Sequence, residues 1–230
     1  VPYSTALPPE KEFDMPVQAK ICGLSTPNTL AHAVAHGADM VGFVFYPPSP
    51  RAVTAEHALM LSNLVPPLVQ KVGLFVDADD LTIAAVLKTT PLDVLQLHGA
   101  ESPERVQAIR ETFKKPVIKA IKVETADDIA TAADYQACGD WLLFDAKAPK
   151  TMAGALPGGN AISFDWTLLQ GLGWSVPWML SGGLDAENVG EAIATTSASA
   201  VDVSSGVEFE PGKKDPERIR AFLAAAKEAG

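Results

Sequence analysis

The chain is short of cysteine, of basic charge and of long apolar runs, and each shortage removes a class of protein. Only Cys22 and Cys138 occur, far apart in sequence. Two thiols without metal-ligand spacing form neither a zinc module nor a disulfide scaffold, so a reduced, cytoplasmic setting with no metal is expected. Lys and Arg number 18 against 28 Asp and Glu, a formal charge of -10. Nucleic acid is held by dense Lys and Arg, so it is not an expected partner. An anionic ligand would have to be attracted locally, by backbone N–H groups, helix N-termini or a placed Arg. No apolar stretch reaches the roughly 18 residues of a membrane span. No segment rich in Pro, Gly or Ser divides the chain. The G-x-G-x-x-G order is absent after the first apolar run, which excludes a dinucleotide fingerprint. Residues 1–16 are Pro-rich and polar, without the apolar stretch of a signal peptide. They are expected to be a flexible tail, leaving residues 17–230 as one domain.

What is present is a repeat. With 230 residues, 47% of them hydrophobic, the chain can bury a large core. Apolar, β-rich runs begin near Val17, Asp39, Lys71, Leu92, Pro116, Asp140, Pro177 and Ala198. Each is almost continuously apolar, as strands buried on both faces of a parallel sheet must be. Helical patterns follow at 26–37, 54–64, 79–88, 102–113, 125–135, 164–172, 185–195 and 215–227. Ser102-Pro103-Glu104 and Asp215-Pro216-Glu217 supply an N-cap, a proline at the first helical position and an acid for the helix dipole. Eight strand–helix units in strict alternation predict a closed parallel (β/α)8 barrel, with an open doubly wound sheet as the alternative.

In such a barrel the site lies at the C-terminal ends of the strands. Those ends carry Cys22-Gly23, Phe45-Tyr46, Asp77, Gln96-Leu97-His98-Gly99, Lys122, Asp145, Ser181-Gly182-Gly183 and Ser204-Ser205-Gly206. Polar groups converging on one mouth are the signature of a site. Gly182 and Gly183 after strand seven, with Ser204, Ser205 and Gly206 after strand eight, sit where these barrels bind phosphate; singly, each loop also reads as a tight turn. Cys22 reads either as a small buried hydrophobe or as a reactive thiol at the mouth. Asp145 ends the run WLLF and reads as a site acid, a helix cap or a partner of Lys147. Arg51 follows the stiff loop Tyr46-Pro47-Pro48-Ser49-Pro50; it reads as a guanidinium held for a carboxylate or as a solvated surface residue. Gln96 and His98 line the expected site. Cys138, His32, His36 and His57 lie away from it. The long loop 148–163, with Gly158-Gly159-Asn160, reads as a lid or binding loop.

The segments KICGL (20–24), GFVFYPPSPRAVT (42–54), LDVLQLHGAES (92–102), LLFDAK (142–147), LPGGNAISFDW (156–166), SGGLDAENV (181–189) and VDVSSGVEFEPGKKD (201–215) closely resemble the phosphoribosylanthranilate isomerases of tryptophan biosynthesis. The likeness runs from about Ala19 to the end. SGGL recurs in other phosphate-binding barrels; KICG, SPRAVT, LQLHG and SSGVE together are more specific. The resemblance implies a cofactor-free Amadori rearrangement of one small phosphorylated substrate; a monomer or homodimer is expected. It implies Asp145 as general acid, Cys22 as general base and Arg51 near the anthranilate carboxylate. It places Gly182, Gly183, Ser204 and Ser205 around the phosphate, with Asp202 as a supporting acid. The chain departs from the family's pattern at Asn160-Ala161, where the family often has Gly-Thr-Gly, and at Ala186, where it often has Pro. Ala161 is expected to stiffen the loop. Two other readings compete. The histidine-pathway aldose isomerases are phosphate-binding barrels with an Asp at the end of strand one, where this chain has Cys22. A non-catalytic phosphate-binding barrel would have no need of Cys22 and Asp145.

Overall fold

The computed structural model describes residues 16–149, 151 and 156–230. The expected tail, apart from Pro16, lies outside the described residues. Eight parallel strands close into one barrel: β1 (Gln18–Cys22), β2 (Met40–Val44), β3 (Gln70–Phe75), β4 (Val94–Leu97), β5 (Val117–Val123), β6 (Trp141–Ala146), β7 (Trp178–Leu180) and β8 (Ala200–Val203). Closure is made by β1, which pairs with β2 on one side and β8 on the other; Lys20 stands opposite both Met40 and Asp202. The closed barrel is therefore the outcome, and the open sheet is not.

Among the described residues, seven α-helices surround the strands: α1 (Pro27–Ala35), α2 (Ala55–Ser62), α3 (Asp80–Thr89), α4 (Pro103–Phe113), α5 (Ala126–Ala130), α6 (Val189–Thr196) and α7 (Pro216–Glu228). Their starts follow the cap chemistry. Asp79 accepts from the Thr82 N–H at 2.8 Å, and Asp215 from the Glu217 N–H at 2.9 Å. Two expected helices are corrected. The 125–135 helix is a short α5 followed by a 3-10 turn, Thr131–Tyr135. The 164–172 helix is only a 3-10 turn, Trp166–Leu169. Asp165 caps that turn through the Thr167 N–H, and Gly171 then enters the left-handed region at φ 69, which a helix cannot continue through. An antiparallel pair absent from the sequence reading, β9 (Glu208–Glu210) with β10 (Lys213–Lys214), follows β8.

Side chains alternate along a strand, so every second residue of each enters the barrel. The interior is plugged by Met40, Val72, Val94, Ile118, Leu143, Met179 and Ala200. Two residues further along β4, β6, β7 and β8 the same face carries Gln96, Asp145, Ser181 and Asp202, all buried. The larger apolar cluster lies between barrel and helices and includes Phe43, Phe75, Phe144 and Phe222. The barrel thus sets a polar layer directly on an apolar plug.

Glu101 ties the ends of β3 and β4 together. It accepts from the Asp77 N–H at 2.9 Å and the Gly99 N–H at 3.0 Å, and pairs with buried Lys119 at 2.6 Å. Burial works against its carboxylate, but Lys119 and the N–H donors outweigh burial and hold its pKa below the ordinary value. The pairing therefore contributes fully above the ordinary value of 4.5 and is lost as the pH falls through the depressed one. Glu101→Gln strands the Lys119 ammonium and should cost about 3–5 kcal/mol at neutral pH. Urea unfolding should also show less loss of stability in the variant than in the parent on moving from neutral pH to about pH 3.5.

Candidate active site

A cavity opens at the C-terminal mouth of the barrel. Cys22, Arg51, Gln96, His98, Asp145, Gly182, Gly183, Asp202, Ser204 and Ser205 all line it. These residues come from six strands or the loops after them, separated by up to 183 positions in sequence. Asp77, Lys122 and Gly206, also expected at the mouth, do not line it. A Cβ on Gly206 would collide with the Leu184 carbonyl, so this glycine lets the loops after β7 and β8 pack against one another.

Asp145, at the end of β6, is buried and takes no part in the suggested pairing with Lys147, which binds Asp128 at 2.8 Å instead. Its Oδ1 accepts from the Ala146 N–H, and its Oδ2 lies 3.0 Å from His98 Nε2. His98 Nδ1 lies 2.9 Å from Gln96 Nε2, and Gln96 Oε1 has no partner among the described residues. Gln96, His98 and Asp145 thus form a chain running from inside the barrel to the mouth. Asp145 is a buried carboxyl lining the cavity, neither a helix cap nor a surface ion.

Arg51 is buried, which removes the surface reading. Glu208 of β9 holds it in a fork, with Nε and Nη2 donating to the two carboxylate oxygens at 2.7 and 2.8 Å. Nη2 also donates to the Gly159 carbonyl at 3.0 Å. Lys214 of β10 pairs with the same Glu208 at 2.7 Å and donates to the Ser204 carbonyl at 2.8 Å. Burial opposes the Glu208 charge, yet Arg51 and Lys214 outweigh it and keep its pKa low. Burial pushes Lys214 down to about 8 against the pull of Glu208. The sequence reading missed Lys20, Glu208 and Lys214. Lys20 alone carried a signal, a charge inside an expected strand; Glu208 and Lys214 lie in the run VEFEPGKKD, outside the expected strands.

Gly182 and Gly183 both adopt left-handed backbone, φ 88 and 66. Their N–H groups have no hydrogen-bond partner among the described residues, although they border the cavity. Ser204 donates to the Cys22 carbonyl at 3.2 Å, linking the ends of β1 and β8.

The loop after β6 covers this group, though its residues 150 and 152–155 lie outside the described residues. A Cβ on Gly158 would fall 2.6 Å from His98 Nε2 and 2.7 Å from Asp145 Oδ2; one on Gly159 would fall 2.5 Å from Arg51 Nη1. Only glycine permits so close an approach. The Asn160 side chain accepts from the Leu156 N–H and donates to the Leu156 carbonyl, closing residues 156–160 on themselves. Ala161 adopts φ 55, a conformation that costs a residue with a Cβ about 1–2 kcal/mol.

A closed eight-stranded barrel with ionisable groups converging on its C-terminal mouth is the architecture of a (β/α)8-barrel enzyme. The comparisons narrow the class. Residues 19–225 match the family model described as N-(5'-phosphoribosyl)anthranilate isomerase. The N-(5'-phosphoribosyl)anthranilate isomerases of Rhodospirillum centenum and Parvibaculum lavamentivorans are 58% and 55% identical to this chain. The alignments cover 92% and 94% of this chain, and 99% and 100% of theirs. The crystal structure of the Thermotoga maritima phosphoribosyl anthranilate isomerase superposes with a TM-score of 0.81 at 39% identity, covering 92% of this chain and 99% of that one. A phosphoribosyl anthranilate isomerase in complex with reduced 1-(o-carboxyphenylamino)-1-deoxyribulose 5-phosphate superposes with a TM-score of 0.78 at 37% identity, with the same coverage. The chain belongs to the N-(5'-phosphoribosyl)anthranilate isomerase family and is an isomerase, as the sequence motifs implied.

Gly158→Ala tests how closely the loop must approach. Its methyl group cannot fit beside His98 and Asp145, so the loop must lift. The expected result is a fall of about tenfold or more in kcat/KM, the scale of a misplaced site group, with the unfolding midpoint little changed.

Proposed function

We propose that this chain converts N-(5-phosphoribosyl)anthranilate to 1-(2-carboxyphenylamino)-1-deoxyribulose 5-phosphate in tryptophan biosynthesis, with Asp145 as general acid and Cys22 as general base. The observation that carries the proposal is the convergence of a buried carboxyl and a buried thiol on one covered cavity. Asp145 gives its proton to the ribose ring oxygen. The bond from that oxygen to C1′ breaks, leaving an iminium between C1′ and the anilino nitrogen. The Cys22 thiolate removes the C2′ proton, and the electron pair moves to form the enolamine and neutralise the nitrogen. Tautomerisation moves a proton from the enol oxygen to C1′ and yields the ketone. Asp145 ends as carboxylate and Cys22 as thiol, so one proton returns from Cys22 to Asp145 through solvent before the next turnover.

His98 positions the acid: its Nε2 lies 3.0 Å from Asp145 Oδ2, and Gln96 holds the other ring nitrogen at 2.9 Å. Arg51 has Nε and Nη2 committed to Glu208 and Gly159, which leaves Nη1 for the anthranilate carboxylate. The free N–H groups of Gly182 and Gly183, with Ser204 and Ser205, receive the phosphate. A local site of this kind suits an acidic chain, because backbone dipoles attract the dianion without net positive charge. Asp202 supports the site from below, through Lys20 and Ser181. The chain acts in the cytoplasm as a monomer or homodimer; the Thermotoga maritima relative is dimeric.

Turnover is followed by the fluorescence of freshly prepared phosphoribosylanthranilate. Cys22→Ala and Asp145→Asn should each lower kcat by about 100-fold or more, the scale of a lost general base or acid. Arg51→Met should chiefly raise KM. A folded parent without turnover would favour the non-catalytic barrel.

A further inference from the structure

The acid–base scheme leaves one buried cation without a task. Lys20 is fully buried and does not line the cavity. Its ammonium pairs with Asp202 Oδ1 at 2.8 Å, while the Ser181 hydroxyl donates to the other oxygen at 3.1 Å. Lys20 lies two residues before Cys22 on β1, so both side chains project from the same inner face. Gly42 stands opposite Cys22 in the β1–β2 register. A Cβ on Gly42 would lie 3.0 Å from Cys22 Sγ and 3.3 Å from Lys20 Nζ. The slot that glycine leaves empty is where thiol and ammonium become neighbours.

The charged groups around the sulfur come from several elements. Lys20 is on the same strand, Asp202 comes from β8 and Lys214 from β10. Beside it, β2 presents only Gly42 and Val44; Arg51, His98 and Asp145 share the cavity. Burial pushes the thiol up, away from the form a base needs, and Asp202 adds to that push. Lys20 is the strongest opposing influence, followed by Lys214. Burial also opposes the Lys20 charge, but Asp202 and Cys22 outweigh it and hold the ammonium above its ordinary value. A cation taken out of water needs a counter-ion, and Asp202 supplies one. An ion pair built only for packing has no need to stand against a reactive sulfur.

We propose that Lys20 is the positioning residue that makes Cys22 a base: its ammonium stabilises the thiolate, and Asp202 keeps that ammonium charged and in place. Lys20 neither touches the substrate nor moves a proton. The inference rests on Cys22 as the base, and its test is read without turnover.

Alkylation of Cys22 by iodoacetamide, followed across pH by the mass of the Cys22 peptide, reports thiolate directly. Lys20→Met should raise the midpoint by a pH unit or more, so that below it the rate falls about tenfold or more. The acid limb of kcat/KM should move by the same amount. Lys20→Met leaves Asp202 buried without its partner; if that variant does not fold, Lys20→Gln, whose amide still donates to Asp202 but carries no charge, makes the same comparison. An unchanged midpoint in a folded Lys20 variant overturns the proposal and leaves Lys20 as the counter-ion of Asp202. Failure of the base assignment itself shows separately, as turnover that survives Cys22→Ala.

Discussion

Eight parallel strands closed on themselves must share one interior, and each sends every second side chain into it. That constraint organises the rest of the molecule. The inner face of a strand must pack well toward one end and can carry chemistry at the other. Along β8 the change takes two residues, from Ala200 to Asp202; along β6 it runs from Leu143 to Asp145. The apolar residues exclude water from below, and the polar residues just above them gain strength from the low dielectric of that setting. The same packing that stabilises the barrel therefore makes its mouth a place where charges interact strongly.

Three buried charge groups answer that setting in different ways. Glu101 with Lys119 fastens strand ends at the rim. Glu208 gathers Arg51 and Lys214, joining the loop after β2 to the hairpin after β8. Lys20 with Asp202 lies deepest, between the apolar plug and the cavity. Ion pairs in an interior are poor sources of stability, because desolvation takes back most of the attraction. Two of the three reach the cavity, through Asp202 and through Arg51. Their positions fit electrostatic preorganisation, in which charges are oriented before the substrate arrives.

The covering loop depends on small residues for a related reason. Gly158 and Gly159 lie where any Cβ would strike His98, Asp145 or Arg51. The left-handed Ala161 and the self-closing Asn160 shape the loop around them. The departure from the family's pattern at Asn160-Ala161 thus has two sides. One residue adds local hydrogen bonds, and the other stores strain. Ala186 lies in the Asp185 turn, whose carboxylate accepts from the Glu187 and Asn188 N–H groups, so a proline is not needed to start α6.

Much of this was legible in the residues alone. Apolar runs repeat eight times because a strand covered on both faces has few polar positions, so the barrel followed from periodicity. Cys22, Asp145 and the Gly182-Gly183 pair stood out as polar or flexible residues at the ends of such runs. Motifs such as SPRAVT and SSGVE carried the family. The helix expected at 164–172 failed because Asp165 and Gly171 outweigh a weak apolar period. Glu208 and Lys214 looked like ordinary loop charges, and Lys20 like the polar start of a motif. Where strands fall and end is a local property that the sequence determined here by itself. Which charges meet was decided only by tertiary structure, because Lys20 and Asp202 are 182 residues apart and become neighbours when the first strand closes against the last.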